Sequence, residues 1–230
     1  MNQKEKILLE NFLKSVPIFR SFSEDNLQKL IKDFQFMCVD RGDDIVFQDD
    51  EGTDLYIVIR GRVKVSLLGM EGNDFTLASL KEGDFFGEMS LIDGKARSAN
   101  VIAEEDTCMA SLKRDKFLSS MNSNPVIAID LLNALVQRLR KADDLIETLA
   151  FLGVSERLAK YIYETAKTES GVSGRGTLKM KKRTHQDLAS NIGSSREAVS
   201  KALKVLMHKN LIQEKEGYLM VAAELTGEIQ

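Results

Sequence analysis

The chain has 230 residues, 43% of them hydrophobic and 29% charged, with a net charge of −3, which suits two domains that each bury a core. Its two cysteines, Cys38 and Cys108, lie far apart without CxxC or Cys/His spacing. A disulfide framework or zinc site is therefore not expected, a reducing cytosol is, and both cysteines read as buried thiols in apolar, strand-like stretches.

No apolar run reaches the length that spans a bilayer, and the N-terminus MNQKEKILLENFLKS mixes charges among its apolar residues, so neither signal peptide nor anchor is expected. Ile7, Leu8, Phe12 and Leu13 recur at helical spacing, and SEDNLQKLIKDF predicts a second helix capped by Ser23. From about Met37 to Leu118 the pattern changes to short alternating runs: DIVFQ, DLYIVIRG, RVKVSLL and FTLASL. Turns at RGDD, DEGTD, GMEGND and KEGD separate them, which predicts a small β-barrel or sandwich. Asn124-Pro125 opens a different segment, in which Ala128, Leu132, Leu135, Leu139, Ala142, Ile146 and Leu149 step alternately by 4 and 3. That is the spacing of a coiled-coil seam, and charges fill the opposite face. Such a helix could also pack on its own domain; over three heptads, dimerisation is the reading adopted. The stripe breaks at Gly153. SERLAKYIYETAK predicts another helix, TESGVSGRG a flexible patch, and TLKMKKR a strand. The expected domains are 1–123, a dimerisation helix over 124–152, and 153–230.

Residues 184–206 read THQDLASNIGSSREAVSKALKVL. Thr184 caps a short helix with Leu188, Ala189 and Ile192 inward, and Gly193 ends it. Ser194 or Ser195 caps a second helix that buries Ala198, Val199, Ala202, Leu203 and Leu206. Helix, glycine-containing turn, helix is the unit that places its second helix in the DNA major groove. Arg196, Glu197, Ser200 and Lys201 lie opposite the buried face. Arg196 can donate twice to guanine, Glu197 can accept from cytosine N4, and Lys201 can reach another guanine or a phosphate. Lys181, Lys182, Arg183, His185 and Gln186 are placed for backbone contacts. Between Arg175 and Lys215 ten basic residues face three acidic ones in an otherwise acidic chain, which points to a polyanion partner at this end. NLIQEKEGYLMV predicts a β-hairpin wing turning near Glu216-Gly217.

Residues 83–101 read GDFFGEMSLIDGKARSANV. Gly87 permits close approach of a ligand to the backbone. A helical turn over Glu88, Met89, Ser90 and Leu91 can offer free N–H groups to an anion. Arg97 can pair a phosphate with two prongs and Ser98 can add a hydroxyl, while Glu88, acceptor-only when ionised, suits a sugar hydroxyl.

This stretch resembles the phosphate-binding cassette of cyclic-nucleotide-binding domains, FGE(L/M)(A/S)L…RSAxV. With the striped helix, ETLAFLGVSER and SSREAVSKALKVL, the whole chain resembles the CRP/FNR family of regulators. The resemblance implies an α+β protein: an N-terminal cyclic-nucleotide-binding β-roll (a jelly roll, or double-stranded β-helix), a long dimerisation helix and a C-terminal winged helix-turn-helix. By resemblance Glu88 meets the ribose 2′-hydroxyl, Arg97 and Ser98 the cyclic phosphate, and Arg196, Glu197 and Lys201 a half-site similar to TGTGA. Homodimerisation, double-stranded DNA and RNA polymerase are the partners implied.

One departure concerns the base. Where cyclic-AMP-binding members carry a Thr-Ser pair, this chain has Ala142 and Asp143. Asp143 can accept from adenine N6 or from guanine N1 and N2, so cyclic AMP is the effector expected and cyclic GMP the alternative. A ligand-independent regulator with a remnant pocket is the other alternative. No cysteine cluster in residues 1–37 suits an iron–sulfur centre, and both histidines, His185 and His208, fall in the DNA-binding part, so neither haem nor metal is expected. No nucleophile–base pair or Walker loop suggests an enzyme.

Overall fold

The computed structural model describes residues 3–69, 74–170, 178–222 and 225. Most of the GMEGND turn, most of the TESGVSGRG patch with Arg175, and the side chains of Ile7 and Leu8 lie outside the described residues. The chain divides into two compact units, one formed by residues 1–68 and 77–141 and the other by 69–76 and 142–230.

The first unit begins with helices α1 (Gln3–Ser15) and α2 (Glu24–Ile31), joined through a single 3-10 turn at Pro17–Phe19. Ser23 caps α2 by accepting the Asn26 N–H, Glu24 and Asp25 occupy its first turn, and Leu27, Leu30 and Ile31 are buried. Eight strands follow: β1 (Gln35–Val39), β2 (Asp44–Val46), β3 (Leu55–Arg60), β4 (Arg62–Leu68), β5 (Asp74–Lys81), β6 (Phe85–Phe86), β7 (Asn100–Ala103) and β8 (Thr107–Leu112). They form two four-stranded sheets, β1-β8-β3-β6 and β2-β7-β4-β5. Their paired strands run antiparallel, giving the two-sheet roll. Val46, Val58, Val63, Phe86, Val101 and Met109 make one core cluster. Phe19, set edge-to-face against Phe22, Phe34 and Phe117, anchors a larger one beneath the helices.

The cysteine expectation is corrected here. Cys38 on β1 stands opposite Cys108 on β8 and the two are joined in a disulfide, S–S 2.05 Å. Cys38 is exposed and Cys108 half-buried, so neither is a buried thiol. Antiparallel neighbours bring together residues 70 apart in sequence, a juxtaposition that their spacing alone does not reveal.

Helix α3 (Glu88–Asp93) separates β6 from β7, and α4 (Arg114–Ser123) leads into the 26-residue α5 (Val126–Phe151). Ile127 and Leu131 bury one face of α5 in the core under the helices, and Leu135 packs half-buried against it. Leu132, Leu139 and Ile146 are exposed, as are Ile129 and Val136. Ala142 is exposed and Leu149 half-buried.

In the second unit the chain turns at Gly153, whose N–H donates to Glu156 Oε2 at 2.5 Å, into α6 (Val154–Ser170). β9 (Leu178–Lys181), α7 (His185–Ile192), α8 (Arg196–His208), β10 (Ile212–Lys215) and β11 (Tyr218–Val221) complete it, with sheet order β10-β11-β9. Thr184 and Asp187 form a reciprocal capping box at the start of α7. Gly193 closes α7 with φ 61°, a left-handed value that a β-carbon disfavours. Ser195, rather than Ser194, caps α8 by accepting the Ala198 N–H. Leu188, Ala189, Ile192, Val199, Ala202, Leu203 and Leu206 pack with Leu158, Ile162 and Met180 into one core. No helix among the described residues is long and apolar enough to cross a membrane.

Candidate functional site

The barrel's candidate site is built around Arg97. Its backbone is clamped by two hydrogen bonds, Asp49 N–H to Arg97 O at 2.9 Å and Arg97 N–H to Asp50 O at 3.0 Å. The side chain runs inward, 6% exposed. There Nη1 donates to the Gly87 carbonyl at 3.3 Å, and the guanidinium lies 5.6 Å from the centroid of the Tyr56 ring. Tyr56 is itself stacked on Phe86 at 5.0 Å. Among the described residues no carboxylate stands within ion-pair distance of Arg97. Burial holds its guanidinium below the usual arginine range, against the opposing pull of Tyr56, Asp54 and Glu88. Burial also pushes the Tyr56 phenol up.

Gly87 makes this geometry. It takes φ 85°, and a β-carbon there would stand 2.5 Å from both Arg97 Nη1 and the Asp54 carbonyl oxygen. Gly52 borders the guanidinium from the other side, where a β-carbon would meet Nε at 3.3 Å and Nη2 at 3.4 Å. Gly87→Ala is accordingly expected to lower stability by about 1–3 kcal/mol for the strained backbone, with a parallel loss of ligand affinity. Thermal melts and titration calorimetry on the same preparation check this, and an unaltered melt would contradict the steric account.

The remaining cassette residues divide. Glu88, 5% exposed, accepts from Arg138 Nη1 at 2.7 Å. Ser98 is exposed and donates to the Met89 thioether at 3.4 Å, and Met89 is exposed too. Ser90 is buried and donates to the Ala96 carbonyl at 3.2 Å, so its hydroxyl holds the loop in shape. Ala142 and Asp143 are exposed positions of α5 in the second unit. Three residues that sequence reasoning passed over belong to this site. Arg138, on the first part of α5, pairs with Glu88, donates to the Phe85 carbonyl and covers the Phe85 ring at 4.4 Å. Arg114 donates to the Leu91 and Ile92 carbonyls at 2.6 and 3.2 Å and so satisfies the C-terminal end of α3. Gly52 read only as a turn residue. The one available signal was an arginine interrupting the apolar part of a striped helix.

The second candidate surface is α8. Arg196, Glu197 and Lys201 are exposed, and among the described residues none of the three side chains is held in an ion pair or hydrogen bond. Ser200 donates to the Arg196 carbonyl at 2.9 Å and meets His185 Nδ1 at 2.7 Å. With the hydroxyl proton committed to that carbonyl, Nδ1 is the donor, and the contact ties the start of α7 to α8. Thr184 and Ser195 are exposed but serve as caps, and Gln186 is exposed. Lys182 and Arg183 are engaged within the protein, Lys182 with Glu214 at 2.5 Å and Arg183 with Glu169 at 3.4 Å and the Tyr161 hydroxyl at 2.7 Å.

These two surfaces coincide with two domain families. Residues 37–124 match the cyclic nucleotide-binding domain and residues 156–223 the Crp-like helix-turn-helix domain. The chain is 32% identical to the Cyclic AMP receptor protein of Thermus thermophilus, over 91% of its own length and 94% of that protein. It is 32% identical to the cAMP-activated global transcriptional regulator CRP of Salmonella typhimurium, over 73% of this chain and 80% of that one. The c-di-GMP responsive global regulator CLP of Xanthomonas campestris shares the fold, with a TM-score of 0.76 at 20% identity over 87% of this chain and 100% of that one. Two domains in this order, and a relative aligned over nearly its full length, place the chain in the CRP/FNR family of transcription regulators.

Proposed function

We propose that the chain is a homodimeric regulator whose DNA affinity is set by cyclic AMP. The observation that carries the effector reading is Arg97: a buried guanidinium without a carboxylate partner, bordered by two glycines, is a ready receptor for one anionic phosphate. Glu88 supplies an acceptor for the ribose 2′-hydroxyl beside it. The Cyclic AMP receptor protein of Thermus thermophilus, by its similarity, favours adenine over guanine as the base. Asp143 leaves cyclic GMP as the second reading, since its carboxylate can accept from guanine N1 and N2.

Coupling to DNA follows from Arg138. It sits on α5 and holds Glu88, the group that a ribose hydroxyl approaches. A bound nucleotide alters the partners of Glu88 and so the grip of the cassette on α5, favouring one arrangement of that helix over another. The exposed stripe of Ile129, Leu132, Val136, Leu139 and Ile146 is the surface on which a second copy would pack, setting two recognition helices against inverted half-sites similar to TGTGA, one helical turn apart. Acting on chromosomal DNA, with RNA polymerase as its further partner, such a regulator works in the cytoplasm and by binding rather than catalysis.

The test is calorimetry with cyclic AMP, cyclic GMP and cyclic di-GMP, followed by anisotropy on a TGTGA palindrome at fixed salt. Saturable cyclic AMP binding that leaves DNA affinity unchanged rules out the coupling. Leu139→Glu, at a side chain 62% exposed in the single chain, is expected to shift the protein from dimer to monomer. Light scattering checks this, and an unchanged dimer mass rejects the seam.

A further inference from the structure

Cys38 and Cys108 take no part in the pocket or the recognition helix, yet they are bonded across the barrel's outer surface. We propose that this pair is a reversible thiol–disulfide exchange site whose reactants are low-molecular-weight thiols and their disulfides.

The strand ladder is the first support. β1 and β8 pair over five residues from Gln35 opposite Ser111 to Val39 opposite Thr107, and Cys38 stands directly opposite Cys108. Strands already hydrogen-bonded to one another do not need the bridge to stay adjacent. Opening it therefore leaves the barrel intact and keeps the two sulfurs side by side for reclosure. Access is the second. β1 is an edge strand of its sheet, Cys38 is exposed, and its neighbour Phe36 is 51% exposed. The third is the leaving group. Arg60, exposed on β3 and opposite Cys108 in the register, places Nη2 3.5 Å from Cys108 Sγ. A cation at that position stabilises a thiolate on Cys108 and makes it the sulfur that departs.

The chemistry balances as two exchanges. An external thiolate attacks Cys38 Sγ, the Cys38–Cys108 bond breaks, and its electron pair leaves on Cys108 beside Arg60. A second external thiolate attacks the outer sulfur of the mixed disulfide and releases Cys38. The protein disulfide is reduced to two thiols, two external thiols are oxidised to one disulfide, and their two protons end on the cysteines. Disulfides of proteins kept in a reducing compartment are characteristically of this transient kind.

The full chain is incubated in glutathione buffers of graded reduced-to-oxidised ratio, quenched in acid, labelled with maleimide and weighed by mass spectrometry. Two adducts are expected in reducing buffer and none after return to oxidised glutathione, with circular dichroism unchanged throughout. Early quenching is expected to trap glutathione on Cys38. Arg60→Gln is expected to slow opening about three-fold, and Arg60→Lys to keep most of the rate. A bridge that opens only in denaturant overturns the proposal, as do cysteines that label fully in oxidised glutathione. Glutathione trapped on Cys108, or an unaltered rate in Arg60→Gln, overturns the assignment of the leaving sulfur.

Discussion

In Arg97→Ala, titration with cyclic AMP is expected to give no saturable heat at concentrations that saturate the unaltered protein, while the thermal melt moves little. The two expectations have separate causes. In the free protein Arg97 makes one long hydrogen bond, 3.3 Å to the Gly87 carbonyl, and one contact with the Tyr56 ring. Removing it also removes a guanidinium that burial disfavours. Deleting a buried charge that lacks an ion-pair partner relieves a desolvation penalty, so the lost contacts and the relief offset to within about 1 kcal/mol. In the complex the same side chain faces a phosphate with two parallel N–H groups. Charge-assisted hydrogen bonds contribute roughly 1.5–3 kcal/mol each, so losing the pair weakens binding by about two to four orders of magnitude. Arg138→Ala separates binding from coupling. Glu88 loses its 2.7 Å partner but remains available to a ribose hydroxyl. Nucleotide binding is therefore expected to persist while its effect on DNA affinity shrinks. An Arg97→Ala protein that binds cyclic AMP within a few-fold of the unaltered one would remove the phosphate from this site.

Local features were legible in the sequence, and partnerships across it were not. Thr184, Gly193 and Ser195 announce α7 and α8 because capping and helix termination are chemical choices made within a few residues. Gly87 and Arg97 were legible together because the loop between them is short. Arg138 was not, since its link to Glu88 crosses 50 positions and depends on where α5 docks. The stripe on α5 shows a second kind of limit. Heptad counting selects Leu132 and Leu135 alike, but Leu135 turns toward its own core while Leu132, with Ile129 and Val136, faces outward. A helix apolar on more than half of its circumference carries two stripes that a single period merges. The charge tally failed in a related way, because it counted Lys182 and Arg183 as available when Glu214 and Glu169 hold them.

That last point decides which substitutions on the DNA-facing surface discriminate. Arg196 is exposed and without an intramolecular partner among the described residues, so Arg196→Ala should leave the free protein's stability within about 0.5 kcal/mol of the original. Its whole effect then falls on the complex. A two-pronged contact with guanine contributes roughly 1–3 kcal/mol of discrimination per half-site, so the matched palindrome is expected to bind about five- to 150-fold more weakly for each half-site. A duplex with that guanine replaced should be affected far less, because the contact is already missing. Lys182→Ala behaves differently. Its ammonium is bound to Glu214 at 2.5 Å, so removing it takes away a charge already neutralised, and the salt slope of binding is expected to stay the same. Lys201, without such a partner, contacts the polyanion directly; if it meets a phosphate, Lys201→Ala lowers the slope by about 0.9 per copy on every duplex. Anisotropy titrations over a salt series, on matched and guanine-replaced duplexes, read all three. Equal loss on both duplexes in Arg196→Ala would make it a backbone contact, leaving the recognition of sequence to Glu197 and its neighbours on α8.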